Sequence, residues 1–347
     1  MKIENIDELN KLINEGYISS VKHPSEDLWL LCYTKSCQFE KVWNELTKTC
    51  RGLIIDSEYN IIQRPFKKFF NYEELTNKSE IPNLPFKVYE KVDGSLGILY
   101  WVKDVPYMCT KGSWISDQGV HATNLLHTKY KDTWNRLDKS KTYLFEIIYP
   151  EDRHVVNYQK FDDIILLAIF DTETGKEFDI YDYSDIFTCV KQYEGIKDWK
   201  TIRDEFDGEN REGFVIRFSN GYRLKLKYES YFRLHFLKSY LTEKYILEIC
   251  TAGQDGDEQT NELIQQLVEE DQIYYHSTIK KFKDQYNQIL TECQRVVDQC
   301  KDLSQKDAAV IFLKHKYSGV LFGLRNNKKV DSIIWKYIKK ELLCHQN

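Results

Sequence analysis

No stretch of this 347-residue sequence stays apolar long enough to cross a bilayer, and its N-terminus lacks the apolar core of a secretion signal. We therefore expect a soluble intracellular protein, cytoplasmic or nuclear, with no membrane partner. None of the nine cysteines has CxxC spacing, and the eight histidines form no ligand cluster beside them. That argues against a disulfide framework or a zinc site and for a reducing compartment. The chain also lacks repeats and low-complexity tracts. It lacks an excess of positive charge too, the formal net charge being -5. The field of the whole molecule thus does not announce a nucleic-acid partner, although a local basic cleft would escape that count. What is present is ordinary for a folded protein: 42% hydrophobic and 30% charged residues, in a chain long enough for two cores. Aromatics reach 14%, with 24 Tyr; most belong in cores, where such side chains bury the most area.

The pattern divides the chain near residue 240. Asn5 and Glu8 cap a first helix carrying Ile6, Leu9 and Ile13, which Gly16 ends. From about 28 to 228, short runs rich in Ile, Leu, Val, Phe and Tyr read as strands: 28–33, 52–56, 98–102, 143–148, 164–170, 213–218 and 223–226. Asp93-Gly94 and Asn220-Gly221 read as turns between them. Beyond 240, Phe282, Tyr286, Ile289, Cys293, Val296 and Cys300 repeat at helical spacing, Ser304 with Asp307 starts another helix, and a last one covers 331–343. The expected domains are 1–240, mostly strands, and 241–347, helical. Within the tail, 243–271 is acidic, whereas 314–340 carries Lys314, Lys316, Arg325, Lys328, Lys329, Lys336, Lys339 and Lys340. That basic segment reads as a solvated face or as an RNA backbone contact.

Five segments place charged residues inside or beside apolar strand-like runs: Glu90-Lys91-Val92-Asp93-Gly94-Ser95, Cys109-Thr110-Lys111-Gly112-Ser113, Leu144-Phe145-Glu146-Ile147-Ile148, Arg211-Glu212-Gly213-Phe214-Val215 and Leu224-Lys225-Leu226-Lys227. Such residues are costly to desolvate unless they face a cleft and one another. Lys225 and Lys227 alternate along a strand and so share a face. Beside Lys91 they would favour its neutral, nucleophilic form and clamp a triphosphate, so that Lys91 could attack the α-phosphorus of ATP in line.

The order K-x-D-G, F-E strand, E-G-x-V and K-x-K resembles that of the covalent nucleotidyltransferases. Within them the chain is similar to RNA ligases of the bacteriophage T4 RNA ligase 1 type. The likeness covers about 28–240 and rests also on Cys50-Arg51-Gly52-Leu53-Ile54, Lys68-Phe69-Phe70-Asn71, Lys111-Gly112-Ser113 and the run from Glu146 to Arg153. The resemblance implies an α+β fold, with an antiparallel-sheet nucleotidyltransferase domain of the ATP-grasp-like ligase type followed by an α-helical C-terminal domain. It implies ATP as cofactor with AMP carried on Lys91, and Mg²⁺ or Mn²⁺ at Glu212 and Glu146. Glu146 would serve the ribose or metal-bound water. Arg51, Lys68 and Lys111 would hold triphosphate oxygens, and Glu90 and Val92 flank the nucleophile at the nucleotide. Val92 stands where an acidic residue is usual, which alters the contact with the base. A side chain near Ile169 or Phe170 is the candidate adenine wall. The implied partner is RNA with 5′-phosphate and 3′-hydroxyl ends, nicked tRNA among the candidates, and the implied state is a monomer.

Competing readings are a DNA ligase or capping enzyme, an NAD-dependent ligase and a non-catalytic RNA-binding relic. The first two usually continue into an all-β OB domain, whereas this sequence turns helical after Ser230. The third calls for an N-terminal nicotinamide module, of which there is no clear sign. The relic would not need the full charged set. His154 and His235 are read as core or surface residues, and Asp255 and Asp257 as a plain loop rather than a second metal site.

Overall fold

The computed structural model describes residues 2–152, 154–206, 208–231, 242–253, 261, 264 and 269–344. Arg153, His235, Asp255 and Asp257 lie outside the described residues. The chain forms two compact units, Met1–Phe232 and Arg233–Asn347.

The first unit opens on α1 (Ile6–Asn14), whose Asn5 side chain accepts from the Glu8 amide, one of the donors a helix start leaves unpaired. β1 (Ile18–Lys22), β2 (Leu28–Tyr33), β3 (Arg51–Asp56) and β4 (Ile61–Gln63) make a first antiparallel sheet, with α2 (Lys35–Phe39) and α3 (Glu45–Thr49) between its second and third strands. Then follow β5 (Phe86–Lys91), β6 (Ser95–Val102), β7 (Val105–Thr110), α4 (Asp117–Thr128), β8 (Lys141–Ile148), β9 (Asp163–Asp171), β10 (Glu177–Phe178), β11 (Thr188–Cys189), β12 (Gln192–Tyr193), α5 (Ile202–Glu205), β13 (Gly213–Phe218) and β14 (Arg223–Lys227). The second sheet runs β10-β9-β8-β6-β7, with β11 joining β9 in parallel; the third runs β12-β5-β13-β14.

Layering follows from burial on each face. β8 is central and buried at every residue after Lys141. Its Leu144, with Ile98 and Ala168, packs on Leu30 and Ile54 of the first sheet. Its Tyr143 and Phe145 share a cluster with Ala122 and Leu126 of α4 on the opposite side. Truncating a residue such as Leu144 to Ala would cost about 2–5 kcal/mol. The third sheet has its own core, where Val88, Phe214, Ile216, Leu224 and Leu226 meet Trp199 and Ile202. Strand alternation turns the intervening residues of that sheet, many of them charged, to its other face.

The second unit is helical in its described residues: α6 (Glu243–Ala252), α7 (Glu269–Gln299), α8 (Gln305–Lys314), α9 (Ser318–Arg325) and α10 (Asp331–Cys344). Phe282, Ile289, Cys293 and Cys300 are buried in its core, with Tyr286 and Val296 packed beside them. Ser304 caps α8 by accepting from the Asp307 amide. No described helix is long and apolar enough to cross a membrane.

Candidate active site

The polar face of the third sheet presents three rungs, given by strand register. Lys91, Gly213 and Lys227 pair across the first; Tyr89, Val215 and Lys225 across the second; Lys87, Arg217 and Arg223 across the third. Rungs lie two residues, or about 7 Å, apart. Facing them are Leu96, Glu146, Leu167 and Glu177 of the second sheet, and with Lys91 and the residues of the second and third rungs these line a cavity of about 310 Å³. Asn220-Gly221 closes the β13–β14 hairpin, whereas Asp93-Gly94 carries the chain from the third sheet into the second. Lys91 therefore stands at the seam between them. Gly94 has to be small here, because a Cβ would lie 2.4 Å from the Ile147 carbonyl oxygen.

Lys91 is 18% exposed, and its Nζ donates to Glu212 Oε2 at 2.9 Å and to the Val92 carbonyl at 2.8 Å. The other oxygen of Glu212 meets Lys227 Nζ at 2.6 Å. One carboxylate, 3% exposed, thus joins the two lysines of the first rung. Gly213 makes this possible: its φ is +144° and a Cβ would sit 2.2 Å from the Leu226 carbonyl oxygen, so only glycine fits between the strands there. Glu146 is buried in β8, accepts from the Gly94 amide at 3.0 Å and also lines the cavity. Its pKa is raised, by burial first, although Lys91 opposes the rise. For Lys91 burial is again the largest influence and pulls downward, but Glu212, Glu146 and Asp93 together outweigh it. The amine is held charged. The expectation that Lys225 and Lys227 would favour neutral Lys91 is therefore corrected: Glu212 stands between Lys91 and Lys227, and nearby carboxylates dominate the field.

Asp93 anchors the turn that follows Lys91. Its carboxylate accepts from the Val155 and Val156 amides, both at 2.8 Å, and from Tyr231 Oη at 2.7 Å, while its own amide donates to Tyr158 Oη. Burial alone would raise its pKa, yet these hydrogen bonds hold it below the ordinary carboxylate range. Ser95 and Gln118 both donate to Asp152, which His154 faces at 3.6 Å.

Cations without carboxylate partners among the described residues gather beside the second rung. Lys225 lies 4.8 Å from the Phe69 ring centroid, and Arg51 lies 5.9 Å from the same ring with a buried Nη1 that has no hydrogen-bond partner. Lys225 is held well below the usual lysine range, first by burial and then by Arg51, Lys91, Lys68 and Lys227. Lys68 and Lys111 are lowered too, again chiefly by burial. On the third rung Arg223 and Arg217 are both matched to Glu177.

The sequence model of the T4 RNA ligase 1 type of RNA ligase matches residues 49–241, more than half of the chain. The chain belongs to the RNA ligase family. It is 28% identical over 195 residues to an RNA ligase of Rhodothermus phage RM378, covering 44% of this chain and 43% of that protein. It is 27% identical over 222 residues to an Autographa californica nuclear polyhedrosis virus protein provisionally named a bifunctional polynucleotide kinase/RNA ligase, covering 54% of this chain and 30% of the relative. The chain thus spans less than half the length of either curated relative. Among solved structures, an Aquifex aeolicus protein provisionally named an ATP-dependent DNA ligase superposes with a TM-score of 0.52 at 16% identity, over 86% of this chain and 88% of its own. An archaeal ATP-dependent RNA ligase superposes at 0.50 and 14% identity, over 80% and 79%. These likenesses show the fold alone.

In this RNA ligase family member, Arg51, Glu90, Lys91, Val92, Glu146 and Lys225 line the cavity, and Glu212 and Lys227 adjoin it through Lys91. Lys68 and Lys111 do not line it and lie instead against the ring of Tyr33. Ile169 and Phe170 are core residues; the wall residue from β9 is Leu167, which has no partner across a bulge between Ala168 and Leu166. Sequence reasoning passed over Tyr231, Tyr158 and the Glu177 pairings. A tyrosine four residues beyond the K-x-K strand carries no signal of its own.

Proposed function

We propose that this protein is an ATP-dependent RNA ligase that carries AMP on Lys91 and joins RNA 5′-phosphate and 3′-hydroxyl ends. The observation that carries this reading is the Lys91 amine at an enclosed cavity, bracketed by Glu212 and Glu146 with Arg51 and Lys225 alongside. A solvated surface lysine would have none of these neighbours.

Lys91 is the nucleophile, and its proton must leave before attack. Glu212 Oε2 already accepts that hydrogen bond and is the acceptor at hand. The nitrogen then bonds to the α-phosphorus, the bond to the β-phosphate oxygen breaks, and pyrophosphate departs toward Arg51 and Lys225. Their charge meets the negative charge that grows in the transition state. Glu146 and Glu212 are hard oxygen donors of the kind that suit Mg²⁺ or Mn²⁺, and they would be the residues to hold such an ion. When bound, such an ion supplies further charge neutralisation at the phosphates. AMP next passes to an RNA 5′-phosphate, and attack by a 3′-hydroxyl expels AMP and forms the phosphodiester bond. We assign the choice of RNA to the helical unit and place the activity in RNA repair, with nicked tRNA as substrate.

The test is the intact mass of the protein after incubation with ATP and Mg²⁺, beside Lys91→Ala. A one-AMP adduct on the wild type alone is the expected result. Absence of the adduct from both, after stripping with pyrophosphate, would overturn the reading. Nicked tRNA sealed no better than unrelated RNA would remove the repair assignment alone.

A further inference from the structure

Lys67 and Lys68 are neighbours in sequence with opposite surroundings. Lys67 is exposed and pairs with Glu45 at 2.8 Å. Lys68 has no ion pair among the described residues and is instead surrounded by rings: Tyr33, Trp43 and Phe70 have centroids 5.6, 5.5 and 5.1 Å from its Nζ. Trp43 is the keystone of this cage, since it meets Tyr33 and Phe70 edge to face at 5.1 and 5.5 Å. The backbone is pinned as well. The Lys68 amide donates to the Lys48 carbonyl at 2.7 Å, and the Lys225 amide to the Phe70 carbonyl at 2.9 Å. The cage is thereby tied to the strand that carries Lys225. The acidic residue that attracts Lys68 most, Glu74, is engaged with Asn71. Arg51, Lys111 and Lys227 repel the ammonium, so something uncharged has to hold it.

A carboxylate partner would compete with an incoming phosphate for the same ammonium. The negative faces of three rings attract the cation without neutralising it. We propose that Trp43 is a positioning residue for nucleotide binding: with Tyr33 and Phe70 it holds the Lys68 ammonium in place to take an oxygen of the triphosphate. The proposal rests on the reading of Lys68 as a triphosphate ligand, and it concerns only the step that uses ATP.

The experiment compares Trp43→Leu, Trp43→Phe, Lys68→Ala and the Trp43→Leu/Lys68→Ala double variant in two reactions of the full chain. One is self-adenylylation as a function of ATP concentration. The other is sealing of RNA already adenylylated at its 5′ end, which needs no triphosphate. Trp43→Leu should raise the ATP KM of adenylylation about threefold to tenfold, with Trp43→Phe restoring most of the loss. Sealing of pre-adenylylated RNA should stay within about twofold, and Trp43→Leu should add nothing in the Lys68→Ala background. An unchanged ATP KM in Trp43→Leu, where Lys68→Ala raises it, overturns the cage. Equal loss in both reactions overturns it too, by making Trp43 merely structural. An unchanged KM in Lys68→Ala removes the triphosphate role on which the proposal stands, and a wild type that takes no AMP removes the ligase reading beneath both.

Discussion

Lys225 and Lys227 stand two residues apart on β14, on one face, yet one belongs to a matched region and the other to an unmatched one. Lys227 shares Glu212 with Lys91. Lys225 faces Arg51 and Phe69 and has no ion pair among the described residues. Strand parity makes the two look equivalent, and it is the opposing side chains that separate them. The matched rung holds a nucleophile and its proton in fixed geometry. The unmatched rung keeps buried positive charge that a folded protein tolerates poorly by itself, as suits a place where anionic oxygens complete the structure.

The harshest way to break this contrast is to delete the carboxylate that creates it. Glu212→Ala takes the shared carboxylate from Lys91 and Lys227 at once. We expect adenylylation to fall by about a thousandfold or more and stability by about 3–5 kcal/mol. Adduct formation by mass and unfolding in urea measure the two losses, and near-normal values for either would refute the matched-rung description.

Identical substitutions at the two lysines should then act with opposite sign. Lys227→Met frees one oxygen of a buried carboxylate and should destabilise by roughly 2 kcal/mol, less than full removal because Lys91 remains. Lys225→Met removes a poorly solvated cation. It should stabilise the ligand-free protein by about 1 kcal/mol, or about 2–4 °C in Tm, while slowing adenylylation about a hundredfold. Thermal melts without nucleotide decide this, and a lower Tm for Lys225→Met would show that its charge is already compensated.

The same lysine gives a pH signature. Its folded pKa is depressed below the ordinary 10.5, by burial and then by the neighbouring cations. Between the depressed value and 10.5 the unfolded chain binds more protons than the folded one, so stability contributed by this site rises with pH through that window. Lys225→Met should flatten that part of the stability–pH curve, whereas an undiminished rise would place its origin elsewhere.

These contrasts mark how far sequence reading reaches. The strands at 213–218 and 223–226 were legible from their apolar runs and the Asn220-Gly221 turn, and parity then put both lysines on one face. Lys91, Glu146 and Glu212 were legible as a set because charged residues in apolar strands need a shared cleft. Illegible were the contacts between distant parts of the chain. Tyr231 reaches Asp93 across 138 residues. The β8–β9 bulge shifts the register by one residue, bringing Leu167 rather than Ile169 or Phe170 to the cavity. Trp43 passed for one more core aromatic because nothing local ties it to Lys68.

The helical unit offers the mildest version of the comparison, since most cations of its basic segment are exposed. Of the eight in its basic segment, Arg325 donates to the Cys300 and Leu303 carbonyls, Lys316 pairs with Glu341, and Lys339 with Glu248. Lys314, Lys328, Lys329, Lys336 and Lys340 are exposed and have no ion pair among the described residues. If these five contact RNA backbone, changing them together to Glu should lower RNA joining severalfold at low salt and leave adenylylation intact. The dependence on salt is the sharper measure, because each phosphate contact to a single strand adds about 0.7 to the slope of log affinity against log salt. Loss of several contacts should therefore flatten the slope by multiples of that increment. An unchanged slope would return these lysines to the role of a solvated face, and RNA choice would then have to lie in the first unit.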